Sequence, residues 1–158
     1  GKEVDIPARP VTVHSFDIHD LRTEGDFIDL DVSVECSSGT YIRSLARDMG
    51  EALGVGGHLT ALRRTTVGSF ALADAHLLDD LAESPRLSLS LDEALKRSFP
   101  VLPVTEDEAA ALAMGKWLEP RGLSGVHAAV APNGQAIALI KEKGKRLATV
   151  FVARPSTL

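Results

Sequence analysis

The residue types best suited to chemistry lie together in one arginine-rich segment, residues 36–64. Gly39 permits a tight turn after a strand, and Tyr41 and Arg43 follow at the start of a helical pattern. Leu62–Arg64 then places an aliphatic residue beside two arginines. Such a basic patch is compatible with an RNA partner, because the local field near a phosphate matters more than the total charge. An aromatic residue and an arginine at an ordinary helix start are an equally good interpretation of the pattern alone.

Metal binding and nucleophilic catalysis find little support in the pattern. No two histidines have the spacing of metal ligands, so surface or core positions are expected for His14, His19, His58, His76 and His127. Cys36 continues the apolar face of a predicted strand, which favours a buried structural thiol over a reactive one. The run Gly54–Gly57 lacks the Lys-Ser/Thr pair of a phosphate-binding loop, and we interpret it as a linker.

The composition is that of an ordinary globular protein, but the charge is unevenly distributed. Of the 158 residues 44% are hydrophobic, and the net charge is −5. Residues 1–120 hold 11 Lys and Arg against 21 Asp and Glu, whereas residues 121–158 hold 6 against 1. No apolar run approaches the roughly 20 residues of a membrane helix, and the single Cys36 rules out a disulfide within the chain. We expect a cytoplasmic protein with no membrane contact, whose basic end is either an RNA contact or a solvated tail.

A strand hairpin followed by a helix is predicted for the first third of the chain. Apolar and polar residues alternate over Ile28–Cys36, which indicates a strand with one wet face. Apolar residues within Val11–Ile18 indicate its partner, and the polar stretch Arg22–Asp26 is expected to connect the two. Helical spacing predicts a helix over Ile42–Leu53, and Leu59–Val67 is predicted to be another strand. This order is typical of an α+β unit around one sheet.

The middle of the chain is predicted to be helical over residues 74–99. Ser90 and Glu93 match a capping box, in which the serine hydroxyl and the carboxylate each satisfy a free backbone amide. Thr105 and Glu108 repeat that pattern before an alanine-rich run. Helices are therefore expected to begin at both places.

The end of the chain is predicted to be a small β-rich module. Turn sequences separate three expected strands, His127–Ala131, Gln135–Lys141 and Leu147–Ala153. The region Pro100–Pro103 is the expected boundary of this module. We interpret Trp117 as a core residue in preference to a platform that stacks on RNA.

Two blocks of the sequence resemble the signature of a known family. Cys36–Gly50 contains Ser-Gly-Thr-Tyr-Ile-Arg-Ser-Leu-Ala-Arg-Asp, and Gly56–Gly68 contains Gly-His-Leu-Thr-Ala-Leu-Arg-Arg-Thr. Together with Ala8–Val13, they are similar to segments of the TruB family, the bacterial tRNA pseudouridine-55 synthases. The resemblance is strong over Ala8–Phe70. Residues from about 103 onward resemble the small C-terminal domain of these enzymes, which is related to PUA RNA-binding modules.

The resemblance implies a fold and an activity. Residues 1–102 would form the C-terminal part of the mixed, largely antiparallel pseudouridine synthase sheet with flanking helices, and residues 103–158 a small PUA-like RNA-binding domain. The enzyme would isomerise the uridine at position 55 in the T-loop of tRNA to pseudouridine, after flipping the base out of the loop. An aspartate is the essential group, and neither a cofactor nor a metal is used. The expected protein is a monomer that binds the tRNA T stem-loop.

The resemblance also implies roles for individual residues. Arg43 matches the arginine that forms an ion pair with the catalytic aspartate, and an adjacent cation favours the ionised carboxylate. Tyr41 matches a tyrosine that lines the same pocket, and Leu62 matches a leucine that packs near the flipped base. Arg63 and Arg64 are expected either to contact RNA phosphate or to form ion pairs within the protein.

The catalytic aspartate of the family has no counterpart in this sequence. It lies in an Arg-x-Thr-Gly-x-Leu-Asp segment, and none of the aspartates from Asp17 to Asp48 has that context. We therefore interpret the chain as the C-terminal half of a synthase that needs the N-terminal half of the same enzyme and is inactive alone. The alternative is a non-catalytic RNA-binding module that acts through its basic residues between Arg121 and Arg154.

Overall fold

The computed structural model of the chain describes residues 9–156. Ala8, the first residue of the segment that resembles the family, lies outside this range, as do the other residues before Arg9 and after Ser156. The chain divides into two compact units, Gly1–Leu62 and Arg63–Leu158. The first unit contains a strand hairpin and a helix, and the second unit contains a four-stranded sheet with short helices.

The first unit begins with the antiparallel pair β1 (Val13–Glu24) and β2 (Phe27–Cys36). Their connection is only Gly25-Asp26, with Gly25 at a φ of +60° that suits the first position of a tight hairpin turn. The expected connection over Arg22–Asp26 is therefore too long. Arg22 stays in the strand because its guanidinium pairs with Asp20 at 2.5 Å and with Asp31 at 2.8 Å.

Two bulges in β1 explain why its apolar residues do not follow a period of two. The pairing of β1 with β2 skips His14 and then His19. Each extra residue shifts the side-chain alternation by one position. As a result all four apolar residues of β1 lie opposite apolar residues of β2, in the pairs Val13 with Cys36, Phe16 with Val34, Ile18 with Val32 and Leu21 with Leu30.

Helix α1 (Ile42–Ala52) follows the hairpin, as the sequence predicts. The next loop packs directly on it at Gly50, which is buried. A Cβ atom on Gly50 would lie 2.1 Å from the carbonyl carbon of Gly56, and one on Gly57 would lie 2.3 Å from the carbonyl oxygen of Ala46. Only glycine at both positions allows this approach of loop and helix.

The strand predicted over Leu59–Val67 is mostly wrong. Only its last two residues are extended, in β3 (Thr66–Val67), which pairs with β4 (Phe70–Ala71). Threonine and aliphatic residues favour β-strands, but residues 58–65 pair with no strand in the described part of the chain. The composition of this segment is therefore not sufficient to make it a strand.

The middle of the chain contains separate short helices. A 3₁₀ turn, Leu72–Asp74, is followed by α2 (Leu78–Glu83) and α3 (Leu91–Ser98). The expectation of helix throughout residues 74–99 is therefore wrong for residues 75–77 and 84–90. Pro85 has no amide proton and disfavours helical geometry in the residue before it.

Both predicted capping boxes are confirmed. Glu93 N donates to Ser90 Oγ at 3.2 Å at the start of α3, and Ser90 N donates to Glu93 Oε2 at 2.9 Å. Thr105 and Glu108 make the same two bonds at the start of α4 (Glu106–Ala113). Both helices therefore begin where local chemistry places them.

The three strands predicted near the end of the chain are confirmed as β6 (Val126–Val130), β7 (Ala136–Lys143) and β8 (Arg146–Val152). Sequence analysis missed a fourth strand, because Val101–Pro103 forms β5 and pairs in parallel with β6. Proline is tolerated there since β5 is the edge of the sheet. The division of the chain into domains at residue 102 stays a prediction.

The core of the second unit lies between this sheet and its helices. Leu112 of α4, Ile140 of β7 and Leu147 of β8 are fully buried together, while Leu95 of α3 packs with buried alanines of β6 and β7. Within residues 9–156, none of the helices is long and apolar enough to cross a membrane.

Candidate functional site

A short polar turn, Ser37–Thr40, connects β2 to α1 and fixes where the helix begins. Ser37 N donates to Thr12 O at 2.8 Å, and Thr12 N donates back to Ser37 Oγ at 2.9 Å. Thr40 Oγ1 donates to Ser37 O at 2.8 Å, which closes the turn. Gly39 has a φ of +82°, a conformation that side chains with a Cβ rarely adopt.

Tyr41 and Arg43 form one exposed pair at the first turn of α1. Tyr41 is the N-cap residue in an extended conformation, and its ring is 60% exposed. The guanidinium carbon of Arg43 lies 5.2 Å from the centre of that ring. A cation over an aromatic face is attracted by about 0.5–1 kcal/mol at an exposed site. The pair is therefore held together while both side chains face solvent.

Arg43 differs electrostatically from its neighbour on the same helix. Arg47 Nη2 lies 2.7 Å from Asp48 Oδ1, and this ion pair raises the pKa of Arg47. Across the described residues, no carboxylate lies within ion-pair distance of Arg43. The positive charge of Arg43 is thus available to an anion from outside this part of the chain.

The other predicted site residues lie in an irregular, exposed segment. Leu62 is 65% exposed, and Arg63 and Arg64 are exposed as well. Leu62 belongs to one compact unit, whereas the two arginines belong to the other. Neither arginine forms an ion pair with any residue that the structure describes. Contact with RNA phosphate and an ion pair with a residue outside the described range both stay predictions for them.

Trp117 is half exposed, so the prediction that it is a core residue is wrong. The guanidinium carbon of Arg146 lies 4.7 Å from its ring centre, and Lys143 and Lys145 line the same cleft. Sequence analysis missed this cluster. A signal was present in the run Lys143-Gly144-Lys145-Arg146, where three cations surround a turn glycine.

Within residues 9–156, no three side chains of His, Cys, Asp or Glu come close enough together to hold a metal ion. His14 and His19 are the two bulge residues of β1, and His19 Nε2 lies 2.7 Å from Ser33 Oγ. These histidines therefore have structural neighbours rather than ligand geometry.

The architecture, an α+β body with a small β-rich C-terminal region, is shared with solved structures. A solved H/ACA ribonucleoprotein bound to a substrate RNA containing 2′-deoxyuridine matches 93% of this chain and 56% of its own, with a TM-score of 0.74 and 24% identity. A Cbf5–Nop10–Gar1 complex matches 99% of this chain and 56% of its own, with a TM-score of 0.72 and 24% identity. At that identity the likeness concerns the fold, and it confirms the predicted fold class.

Sequence comparison gives the family. The model described as "tRNA Pseudouridine synthase II, C terminal" matches residues 99–154, and that described as "tRNA pseudouridylate synthase B C-terminal domain" matches residues 43–104. Proteins named tRNA pseudouridine synthase B from Corynebacterium aurimucosum and Nocardia farcinica are 78% and 56% identical over 158 residues, all of this chain. The chain belongs to the TruB family, as its resemblance predicts. It spans about half the length of these relatives, 53% and 52%.

Proposed function

We propose that the protein containing this chain isomerises the uridine at position 55 in the T-loop of tRNA to pseudouridine. The relatives that match every residue of the chain are named tRNA pseudouridine synthase B, which supports this substrate and product. In the proposed reaction the N-glycosidic bond breaks and the base rejoins the ribose through carbon. The target base is flipped out of the loop, and the reaction uses no cofactor.

The observation that carries the proposal is the Tyr41–Arg43 pair. It stands at the end of a strand, on the first turn of a helix that the Ser37–Thr40 turn holds in place. Its guanidinium has no carboxylate partner among residues 9–156. A catalytic aspartate brought against Arg43 would be kept ionised by the adjacent cation, in the form required for attack.

Each remaining site residue has a proposed task. Tyr41 lines the pocket that receives the flipped base and steadies Arg43 through its ring. Leu62 packs near that base, and its exposed side chain is free to do so. Arg63 and Arg64 contact phosphate groups of the RNA, because neither is neutralised by a carboxylate in the described part of the chain.

The catalytic aspartate is proposed to come from the N-terminal half of the same enzyme. That half accounts for the share of the relatives that this chain does not cover. We propose that the whole enzyme acts as a monomer in the cytoplasm and binds the tRNA T stem-loop. Residues 1–102 would then complete the catalytic domain, and residues 103–158 would form its PUA-like RNA-binding domain.

Substitution of Arg43 in the full-length enzyme tests the proposal. Arg43→Ala is expected to reduce turnover by about a hundredfold or more, while the Kd for tRNA stays within about threefold. Release of tritium from uridine labelled at carbon 5 in unmodified tRNA measures the turnover. The matched control is Arg47→Ala, since Arg47 lies on the same helix but is paired with Asp48. An Arg43→Ala enzyme within about threefold of wild type would sink the role of Arg43.

The alternative is a non-catalytic RNA-binding module. It predicts that binding weakens steeply with salt and shows little preference for T-arm hairpins over other hairpins. The same preparation of full-length protein decides between the two. Tritium release from tRNA supports the synthase, whereas tRNA binding without any release supports the module.

A further inference from the structure

A cleft in the C-terminal unit combines an aromatic ring with three cations. Trp117 forms one wall, the turn residues Lys143, Lys145 and Arg146 form another, and Thr149 extends it along β8. The cleft is open to solvent and has a volume of about 470 Å³. The proposed function gives residues 103–158 to RNA binding but assigns no role to these individual side chains.

The charge on the turn is unfavourable for the protein by itself. Lys143 and Arg146 lie directly opposite each other in the β7–β8 pairing, and like charges in that arrangement destabilise a hairpin. In the described part of the chain, no carboxylate forms an ion pair with either residue or with Lys145. An anion bound between the two strands would relieve the repulsion.

Glu142, the only acidic residue of the β7–β8 hairpin, is bonded to a neighbouring loop rather than to the cations of the turn. Glu142 accepts hydrogen bonds from the backbone amides of Arg121 at 2.7 Å and of Leu123 at 3.2 Å. These bonds hold the pKa of Glu142 below its ordinary value. The carboxylate is therefore used to fix a neighbouring loop and does not compensate the turn.

The walls of the cleft are fixed relative to each other. Leu118 follows Trp117 and Leu147 follows Arg146, and these two leucines exchange both backbone hydrogen bonds at 2.9 Å. Both are buried. The bridge holds the indole and the guanidinium in place, 4.7 Å apart. A ligand would meet a preformed site and so would lose little free energy in ordering it.

We propose that this cleft binds a phosphodiester segment of the RNA substrate, with one base or ribose stacked against Trp117 or the Arg146 guanidinium. Lysine and arginine together supply point charges and a planar donor for phosphate oxygens. Aromatic rings stack on any base and on the arginine plane. An acidic peptide would use the cations but would leave the aromatic wall without a function. The inference rests on the proposed function, because it assumes that the substrate is RNA.

The test uses the full-length enzyme with unmodified tRNA at several salt concentrations. Lys143→Gln combined with Lys145→Gln is expected to weaken binding about tenfold near 0.1 M salt and to reduce the slope of log K against log salt by about 1.4, two lost phosphate contacts. Trp117→Leu is expected to weaken binding at least about fivefold with the slope unchanged. The losses should appear in KM for tRNA rather than in kcat.

The matched control is Lys141→Gln, which removes a cation from the same strand but outside the cleft. It is expected to bind tRNA like wild type. The proposal that the cleft binds RNA would be overturned if Lys141→Gln weakened tRNA binding as much as the double variant does. It would also be overturned if the double variant left the Kd and the salt slope unchanged. Poly-L-glutamate that competes as strongly as tRNA would overturn RNA as its ligand. Tritium release by the wild-type enzyme in the same assay tests the proposed function separately, so the two can fail independently.

Discussion

At the scale of single residues, Asp92 connects three parts of the C-terminal unit. It lies in the first turn of α3, accepts from Ala136 N of β7 at 2.7 Å, and pairs with Arg154 Nη2 at 2.8 Å. Burial raises the pKa of Asp92. The two hydrogen bonds and the positive charge of Arg154 lower it by a larger amount, so the net shift of the pKa is downward. The ionised form is the one that the fold stabilises.

Replacing Asp92 is expected to destabilise the protein. Asp92→Ala leaves the amide of Ala136 and the guanidinium of Arg154 without their acceptor, a loss of about 1–2 kcal/mol. Because its pKa is lowered in the folded state, Asp92 contributes fully to the free energy of unfolding above its unfolded-state pKa of about 3.9. This contribution is lost as the pH falls through the lower pKa of the folded state.

Denaturant unfolding of the full-length enzyme at several pH values measures this effect. The stability gap between wild type and Asp92→Ala should be constant from neutral pH down to about 5 and should narrow below about pH 4. Glu119→Gln, in an exposed loop, serves as the control and should change stability by less than about 0.5 kcal/mol. A gap that widens on acidification would contradict the assigned role of Asp92.

Sequence alone reveals a pair of site residues only when the two residues are close together in the chain. Tyr41 and Arg43 are two positions apart at a turn whose glycine is visible in the sequence, so their pairing follows from local geometry. Trp117 and Arg146 are far apart in the chain and meet only because Leu118 bridges to Leu147. The residues around Trp117 in the sequence do not indicate this contact. The sequence therefore predicts a core position for Trp117, which is wrong.

At the scale of secondary structure elements, the helices with complete caps are the ones that sequence predicts best. Both capping boxes consist of residues three positions apart, so the information is local. The failed predictions involve partners distant in the chain. Residues 58–65 have a strand-like composition but no strand beside them, and Val101–Pro103 becomes a strand because β6 lies next to it. Tertiary pairing, rather than propensity, decides such segments.

The cap of α3 gives a prediction at this scale. Ser90→Ala removes the acceptor of Glu93 N and is expected to cost about 1 kcal/mol, whereas Ser90→Gly is expected to cost only a few tenths. Thermal unfolding of the full-length enzyme measures both. Ser88→Ala, in the exposed stretch before the cap, is the control and should be near neutral. A loss for Ser90→Ala no larger than that for Ser88→Ala would show that the hydroxyl is not what starts this helix.

At the scale of the whole molecule, the hairpin presents an apolar surface that the other described residues of its own unit leave exposed. Large apolar residues of β1 and of the start of β2 are 38–68% exposed, namely Phe16, Ile18, Leu21, Phe27 and Ile28. Monomeric proteins rarely leave so many large apolar groups together in water. We expect the proposed N-terminal half of the enzyme to pack against this surface.

The isolated 158 residues are expected to be inactive. They carry the proposed partner of the catalytic aspartate, Arg43, but no aspartate in the sequence context of the family. Tritium release from labelled tRNA should be absent with the chain alone and should appear when the separately produced N-terminal half is added. Circular dichroism of the chain provides the folding control. Release by the chain alone would show that one of its own carboxylates performs the reaction.

The bulges at His14 and His19 have a consequence for how this strand tolerates changes in length. Removing either histidine leaves Val13, Phe16, Ile18 and Leu21 on one face, because the remaining residues then alternate regularly. Removing Ser15 or Asp20 has the same effect, because one residue then remains between the flanking apolar residues, whereas removing Asp17 turns the rest of the strand over. A scan of single-codon deletions through β1 should therefore find two permissive sites, His14-Ser15 and His19-Asp20, in an otherwise intolerant stretch, and insertions and deletions accumulated over evolution should concentrate at those two sites.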